Sequence, residues 1–345
     1  MATLFGDRWE IQAPLGEGGQ SHTFIVVDQK GSPDTHYVLK RLKNVRRLDR
    51  FRREIEALQN LQHENIVRLV DFDVEGERPY LVTEFCAGGS LDEASPFWKD
   101  DPEQAFRLFD QICAGIEFAH SNSLIHRDLK PANIFLRSNH GPAVVGDFGI
   151  CYLDDEGRRL TLTEEAAGPR LYMAPELEDG RLGAITPKTD TYSLGKLLYW
   201  LLSGGQVFSR EVHRERRWDL KNRNEDSPLG WSNPYLEHAN RLLDLMVVHA
   251  PERRRDVSNI RVLARRASRL ISEKFTPIGP GLPQPCTYCG EGQYTIQARG
   301  ANVAVRNFGF ELVGNPDWRV FTCNKCGHVQ AFRVDLADKK EWWAE

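Results

Sequence analysis

The fold of this chain is decided by the stretch His126-Arg127-Asp128-Leu129-Lys130-Pro131-Ala132-Asn133. The Lys and the Asn follow the Asp at offsets of two and five inside a short polar break. An Asp can accept a hydroxyl proton, a Lys can neutralise phosphate charge, and an Asn oxygen can bind a hard metal ion. The stretch therefore suits a loop that handles phosphate, and its partners should lie upstream and downstream of it.

Two upstream features fit such a loop. Residues 15–23, Leu-Gly-Glu-Gly-Gly-Gln-Ser-His-Thr, form a glycine-rich turn between two strand-like runs, where backbone N–H groups can close over a polyphosphate. Lys40 ends an apolar strand, and Glu54 lies on the inner side of the helix that follows. Taken alone, the turn could be an ordinary hairpin and the two charges a structural or surface ion pair.

Downstream, Asp147-Phe148-Gly149 follows an apolar strand, and Ala174-Pro175-Glu176 closes the segment after it. In this order the motifs resemble the signature set of the protein-kinase superfamily, from residue 9 to residue 271. The resemblance implies an α+β, two-lobed protein-kinase fold over residues 1–273. Its β-rich N-lobe would span about residues 1–86 and its α-rich C-lobe about residues 87–273.

The resemblance also implies a catalytic role for six residues of this chain: Lys40, Glu54, Asp128, Lys130, Asn133 and Asp147. Asp128 would orient and deprotonate the acceptor hydroxyl, and Lys130 would stabilise the transferring phosphoryl group. Asn133 and Asp147 would hold Mg²⁺ or Mn²⁺. Because a Lys stands two places after the Asp, as in Ser/Thr kinases, we predict an ATP-dependent protein kinase that acts on Ser or Thr and autophosphorylates.

For the nucleotide, the resemblance implies that Lys40 holds the α and β phosphates of ATP and pairs with Glu54. Thr83 would be the gatekeeper, and the Glu84 carbonyl and the Cys86 N–H would meet the adenine edge. The full set of implied nucleotide contacts is Leu15, Gly16, Gly18, Thr23, Val38, Lys40, Thr83, Glu84, Cys86 and Phe135. The resemblance further implies an ion pair between Glu176 and Arg254 and a brace of the catalytic loop by Asp190.

Some positions depart from the family pattern. Ser21 replaces the third loop glycine, and Pro169 stands where Ser/Thr kinases usually have a Thr that bonds to the catalytic Asp and Lys. An alternative is therefore a pseudokinase, a nucleotide-binding scaffold without catalytic activity.

Arg127 directly precedes the catalytic Asp, and in the family such an Arg goes with activation by phosphorylation of a loop. Thr161 and Thr163 are the candidate sites in this chain. The alternative is that they are only solvated loop hydroxyls.

Periodicity predicts the main elements. Strands are predicted within residues 9–43, 67–72 and 79–85, and helices at 48–61, 105–120 and 192–202, the last apolar nearly all round and hence buried. Beyond the kinase-like region, short strands are predicted at 294–298, 308–313, 319–322 and 329–334.

The C-terminal part has a different character. Residues 275–285 contain four prolines and two glycines, so residues 274–285 are predicted to be a linker. After it, Cys286/Cys289 and Cys323/Cys326 form two Cys-x-x-Cys pairs that 33 residues separate. Two such turns supply four tetrahedral thiolate ligands, so residues 286–345 resemble a zinc ribbon that holds structural Zn²⁺ in a small β domain. A redox dithiol is the alternative.

Charge bears on the partners of this second domain. Residues 286–345 contain seven basic and seven acidic residues, which argues against nucleic acid as a partner and favours recruitment of a protein partner or substrate. A nucleic-acid-binding ribbon regulated by the kinase domain is the alternative.

The whole chain of 345 residues has a net charge of −4. It shows neither an apolar run long enough to span a membrane nor a signal peptide, which predicts a cytoplasmic protein without membrane partners. The oligomeric state stays open.

Overall fold

In the computed structural model the chain divides into two compact units. The first comprises Met1–Ser232 and Ala239–Arg269, and the second comprises Asn233–His238 and Leu270–Glu345. The structure describes residues 4–17, 21–31, 34–94, 96–98, 101–148, 171–208, 236–272, 294–299, 318–323, 326 and 329–333.

The first unit begins with a six-stranded antiparallel sheet of order β1-β2-β3-β4-β6-β5. Its strands are β1 (Leu4–Phe5), β2 (Trp9–Glu17), β3 (Ser21–Asp28), β4 (His36–Leu42), β5 (Leu69–Asp73) and β6 (Tyr80–Glu84). Helix α1 (Leu48–Asn60) follows β4. One face of the sheet buries a cluster around Trp9, Leu39 and Val82. Strands β2 to β6 and α1 confirm the predicted elements, whereas β1 was not predicted because two residues give no readable alternation.

The described part of the chain from residue 102 to residue 272 is mainly helical. Its helices are α2 (Pro102–Ser121), α3 (Pro175–Glu178), α4 (Pro187–Ser203), α5 (Glu237–Met246) and α6 (Val257–Ser272). Between α2 and α3 lies a small hairpin of β7 (Ile134–Leu136) and β8 (Ala143–Val145). Consistent with a β-rich and a helix-rich lobe, the six-stranded sheet with α1 precedes helices α2 to α6 in the chain.

Helix α4 begins five residues before the predicted apolar segment. Its start is set by a capping box, in which the side chains of Thr186 and Thr189 each accept from the other's backbone N–H. The first turn carries the buried Asp190, which an apolar pattern does not include. Its apolar residues from Tyr192 to Leu202 are largely buried, as the sequence predicted for a central helix.

The second unit contains a three-stranded antiparallel sheet of order β11-β10-β9. Strands β9 (Tyr294–Arg299), β10 (Trp318–Cys323) and β11 (Val329–Arg333) lie where the sequence predicted strands. The predicted strand at 308–313 and the predicted linker lie outside the described residues. Among the helices that the structure describes, none is both long and apolar enough to cross a bilayer.

Candidate active site

The ammonium group of Lys40 contacts the carboxylates of two other residues. Nζ of Lys40 on β4 lies 2.7 Å from Oε1 of Glu54 on α1 and 2.9 Å from Oδ1 of Asp147, which follows β8. The side chains of Lys40 and Glu54 are 23% and 9% exposed, and that of Asp147 is 49% exposed. Asp147 is 107 residues from Lys40 in the sequence, and the fold brings the two together.

The environment shifts the pKa of each of these three groups. Burial opposes the charge of Lys40, but Asp147 and Glu54 outweigh that cost, so the pKa of the ammonium is raised above its usual value. The positive charge of Lys40 lowers the pKa of Asp147. Burial raises the pKa of Glu54, against the attraction of Lys40. Asp147 is therefore the more firmly ionised carboxylate and the more exposed one, which suits a group that binds a cation.

The predicted catalytic loop forms a second cluster. Nζ of Lys130 lies 2.9 Å from Oδ2 of Asp128. Nδ2 of Asn133 donates to the backbone carbonyl of Asp128 at 2.7 Å and to its Oδ2 at 2.9 Å. Because both amide hydrogens of Asn133 are used in this way, its Oδ1 is the atom left to ligate a metal ion. Asn133 and Asp147 thus fit the hard oxygen ligands that Mg²⁺ requires.

The side chain of Asp190 anchors the backbone of the predicted catalytic loop. Its carboxylate is buried and accepts the backbone N–H groups of His126 and Arg127, each at 2.8 Å. Nε2 of His120, in the last turn of α2, lies 2.8 Å from Oδ2 of the same carboxylate. Two backbone donors on successive residues fix the direction of the chain just before Asp128. The implied brace by Asp190 therefore has a geometric basis, and His120 is a third partner that the sequence did not reveal.

Two residues of the site have left-handed backbone conformations. Arg127 has φ of 68° and Asp147 has φ of 47°, a region that non-glycine residues rarely adopt. Such strain persists only where the surroundings impose it, and it concentrates at functional sites. Here Asp190 fixes the Arg127 backbone, and the ring of the buried Phe148 lies 4.7 Å from that of His126.

Four of the residues predicted to contact the nucleotide lie on neighbouring strands. Val38 on β4 pairs with Thr83 on β6, and Gly16 on β2 pairs with Thr23 on β3. Leu15, next to Gly16, is 50% exposed. Gly18 lies outside the described residues.

Two further predicted nucleotide contacts lie in an apolar cluster. Phe135 on β7 packs against a cluster of Val67, Cys86 and Val144. Burial raises the pKa of the Cys86 thiol to about 12, so the thiol is neutral and behaves as a small apolar group. The implied nucleotide contacts Phe135 and Cys86 therefore lie in one apolar cluster with Val67 and Val144.

Two further ion pairs occur in the first unit. Glu176 and Arg254, which the resemblance paired, are in bidentate contact and both buried. Arg137, directly after β7, makes a bidentate contact with Glu84 that sequence reasoning missed. The sequence signal was weak, since a single Arg after a strand usually points to solvent.

The predicted zinc ligands are only partly described. Cys323 is buried at the end of β10, and its Sγ accepts the backbone N–H of Cys326 at 3.5 Å. Cys286 and Cys289 lie outside the described residues. Within the part of the chain that the structure does describe, no group of three or more His, Cys, Asp or Glu is arranged to hold a metal. Structural zinc stays a prediction.

Comparison with known proteins gives a consistent picture. A family model described as "Protein kinase domain" matches residues 9–262. A probable serine/threonine-protein kinase of Corynebacterium efficiens is 33% identical over 223 residues, 61% of this chain and 33% of that protein. Serine/threonine-protein kinase Pkn1 of Myxococcus xanthus is 38% identical over 170 residues, 48% of this chain and 24% of that protein. PknB of Mycobacterium leprae is 33% identical over 210 residues, 59% of this chain and 33% of that protein. The chain thus matches a third or less of the length of these relatives.

Proposed function

Since the chain belongs to the protein kinase family, we propose that it transfers the γ-phosphoryl group of ATP to Ser or Thr hydroxyls of protein substrates. The observation that carries the proposal is the double contact of Lys40 with Glu54 and Asp147, beside a loop in which Lys130 and Asn133 converge on Asp128. Phosphoryl transfer depends on positioning and charge neutralisation more than on covalent chemistry, and these groups can supply both. The matched relatives carry the name serine/threonine-protein kinase, which supports the acceptor class.

In this proposal each charged group has one task. Asp128 accepts the proton of the substrate hydroxyl, and Lys130, hydrogen-bonded to it, stabilises the phosphoryl group during transfer. Lys40 holds the α and β phosphates. Asn133 and Asp147 would hold Mg²⁺ or Mn²⁺, which neutralises phosphate charge when bound. Gly16 and Gly18 would cover the phosphates, and the other nucleotide contacts would be Leu15, Thr23, Val38, Thr83, Glu84, Cys86 and Phe135.

The test is transfer of radiolabelled γ-phosphate by the full chain to itself and to proteins of a cell lysate. Wild type should label Ser and Thr, and Asp128→Ala should lose the label while it still binds ADP, measured by calorimetry. Asp49→Asn changes an exposed side chain; it is the matched control and should leave labelling unchanged. If wild type binds ADP but labels nothing, the protein is a nucleotide-binding scaffold; if only phosphotyrosine appears, the acceptor class is wrong.

Autophosphorylation of the loop before Ala174 is part of the proposal. Thr161 and Thr163, which lie outside the described residues, are the proposed acceptors, and phosphorylation would add negative charge to this loop. Phosphosite mapping should find one or both after incubation with ATP. Thr161→Ala combined with Thr163→Ala should lower the rate; an unchanged rate would remove loop phosphorylation as a switch.

We further propose that residues 286–345 form a zinc-ribbon-like domain that recruits a protein partner or substrate. The hydrogen bond from Cys326 N–H to Cys323 Sγ favours this reading, because a backbone donor stabilises a thiolate as it would in a metal-binding turn. Elemental analysis of the full chain should find about one zinc ion per molecule. Cys323→Ser should lose zinc, while Cys151→Ala, an isolated cysteine of the sequence, should keep it. Metal-free wild type would contradict the proposal, and salt-sensitive binding of a DNA or RNA oligonucleotide would favour the nucleic-acid alternative.

A further inference from the structure

A bidentate ion pair lies beside the segment that connects the sheet to α2. Glu84 is the last residue of β6, and Arg137 directly follows β7. Nε of Arg137 donates to Oε2 of Glu84 at 3.0 Å, and Nη2 donates to Oε1 at 2.9 Å. The side chains are 30% and 17% exposed, so the pair is shielded from water over most of its surface. Fork-to-fork pairs of this kind fix direction as well as distance.

The same two side chains also hold the loop between α1 and β5. Nη1 of Arg137 donates to the backbone carbonyl of Glu64 at 2.6 Å. Oε1 of Glu84 accepts the backbone N–H of Arg68 at 2.9 Å, and the Glu84 N–H donates to the Arg68 carbonyl at 3.0 Å. The ion pair therefore joins three separate parts of the chain: the loop after α1, the end of β6 and the end of β7.

The connecting segment itself, residues 84–89, runs against β7 on the side of this ion pair. The Gly88 N–H donates to the Leu136 carbonyl, and the Leu136 N–H donates to the Gly89 carbonyl, each at 2.9 Å. A Cβ at Gly88 would lie 2.2 Å from the carbonyl oxygen of Ser138, so only glycine permits this approach. One end of the segment is thus fastened by backbone contacts, and the other by the Glu84 carboxylate.

We propose that Arg137 is a positioning residue for the nucleotide and acts through Glu84. This inference deepens the proposed function and rests on it, since the Glu84 carbonyl and the Cys86 N–H are the groups proposed to meet the adenine edge. Arg137 contacts both oxygens of the Glu84 carboxylate. Because the side chain is held in this way, the backbone carbonyl of Glu84 keeps one orientation before the nucleotide binds. Without Arg137, binding has to order the segment, and the loss of preorganisation weakens affinity.

The effect should fall on binding and not on transfer. Lys130 contacts Asp128 and Lys40 contacts Asp147, whereas Arg137 pairs with Glu84 at the other end of the proposed nucleotide contacts. Arg137→Met keeps the length of the aliphatic stem and removes all the donors. In this variant the Kd for ADP and the KM for ATP should rise about tenfold, while kcat stays within about twofold of wild type.

A double-mutant cycle isolates the pair. Glu84→Gln should weaken ADP binding to a similar extent, and the double variant should be no weaker than the worse single variant. Arg137→Lys, which keeps the charge but cannot make the fork, should fall between wild type and Arg137→Met. The matched control is Arg52→Met, which breaks the exposed Arg52–Glu75 pair at 2.9 Å and should leave Kd and KM unchanged.

The measurements are ADP calorimetry and steady-state kinetics on the full chain, with melting curves for each variant. Wild-type affinity in Arg137→Met, additive losses in the cycle, or a fall in kcat at unchanged KM would each overturn the inference. The inference would also be overturned if a variant regained wild-type ADP affinity when measured well below its melting temperature. Arg137 would then only stabilise the fold. If wild type binds ADP without transferring phosphate, the proposed activity fails, yet the ADP cycle still decides the role of Arg137.

Discussion

The guanidinium of Arg254 donates two parallel hydrogen bonds to the carboxylate of Glu176, at 2.6 Å and 2.8 Å, with neither side chain exposed to solvent. Its remaining donors reach three backbone carbonyls, those of Val248, Lys188 and His249. The buried cation is thus fully satisfied. Each partner, if left alone, would be an unpaired charge in a dry environment, where the penalty is largest.

Removal of one partner should therefore destabilise the protein strongly. We expect Arg254→Met and Glu176→Gln each to lower the free energy of unfolding by about 3–5 kcal/mol, measured by urea denaturation. The double variant should lose less than the sum of the single losses. Arg181→Met, which breaks an exposed pair with Asp179 at 3.3 Å, should cost less than about 1 kcal/mol. Equal losses for the buried and the exposed pair would contradict this reading.

Asp190 should matter for turnover and not for nucleotide affinity. Asp190→Asn keeps the shape but presents an amide to the N–H groups of His126 and Arg127, so at least one donor loses its acceptor. The loop that carries Asp128 should shift, and kcat should fall at least about tenfold, while the Kd for ADP stays within about twofold. Asp49→Asn on the exposed face of α1 serves as control. An unchanged kcat would mean that Asp128 does not need this brace.

The residues that meet at the candidate site could be identified from sequence because their types are chemically constrained. Lys40, Glu54, Asp128, Asn133 and Asp147 carry charge or ligating oxygens, and their order along the chain is recognisable. The structure brings Lys40, Glu54 and Asp147 into contact, and Asp128 with Asn133. Helices α1 and α2 also follow from three- and four-residue spacing of apolar residues.

Other features depend on tertiary packing and left no local signal. The contact of His120 with Asp190 joins the end of α2 to the start of α4, and the same carboxylate accepts the N–H of Arg127, whose φ is positive. Strand β1 is too short for a pattern. The pairing of Arg137 with Glu84 likewise requires β6 and β7 to approach, which no local sequence pattern encodes.

Gly146 should not tolerate a methyl group. A Cβ there would lie 2.8 Å from Cε2 of Phe135 and 3.1 Å from Cγ2 of Val67, so the Phe135 ring would have to move. Gly146→Ala should lower the free energy of unfolding by about 1–3 kcal/mol and weaken ADP binding, because Phe135 lines the proposed adenine site. Gly183→Ala is the matched control, since nothing lies within 4 Å of its Cβ position. Wild-type stability and affinity in Gly146→Ala would show that the ring can shift freely.

The stabilisation that Glu84 provides should disappear in acid. Burial alone would raise the pKa of Glu84, but hydrogen bonds from Arg137 and from the Arg68 N–H outweigh it, so the pKa lies below the ordinary value. The unfolded chain, with a Glu pKa of about 4.3, then binds more protons than the folded chain in this range, and stability rises with pH. The contribution is present above the unfolded pKa and is lost as pH falls through the lower folded pKa.

Urea denaturation of wild type and Glu84→Gln tests this dependence. At pH 6 the variant should be less stable by roughly 1–2 kcal/mol, and the difference should shrink as the pH approaches about 3.5. Glu75→Gln, which removes an 80% exposed carboxylate paired with Arg52, should change stability by less than about 0.5 kcal/mol at either pH. A difference for Glu84→Gln that stays constant with pH would mean that its carboxylate titrates alike in both states, and that the contact with Arg137 does not persist in solution.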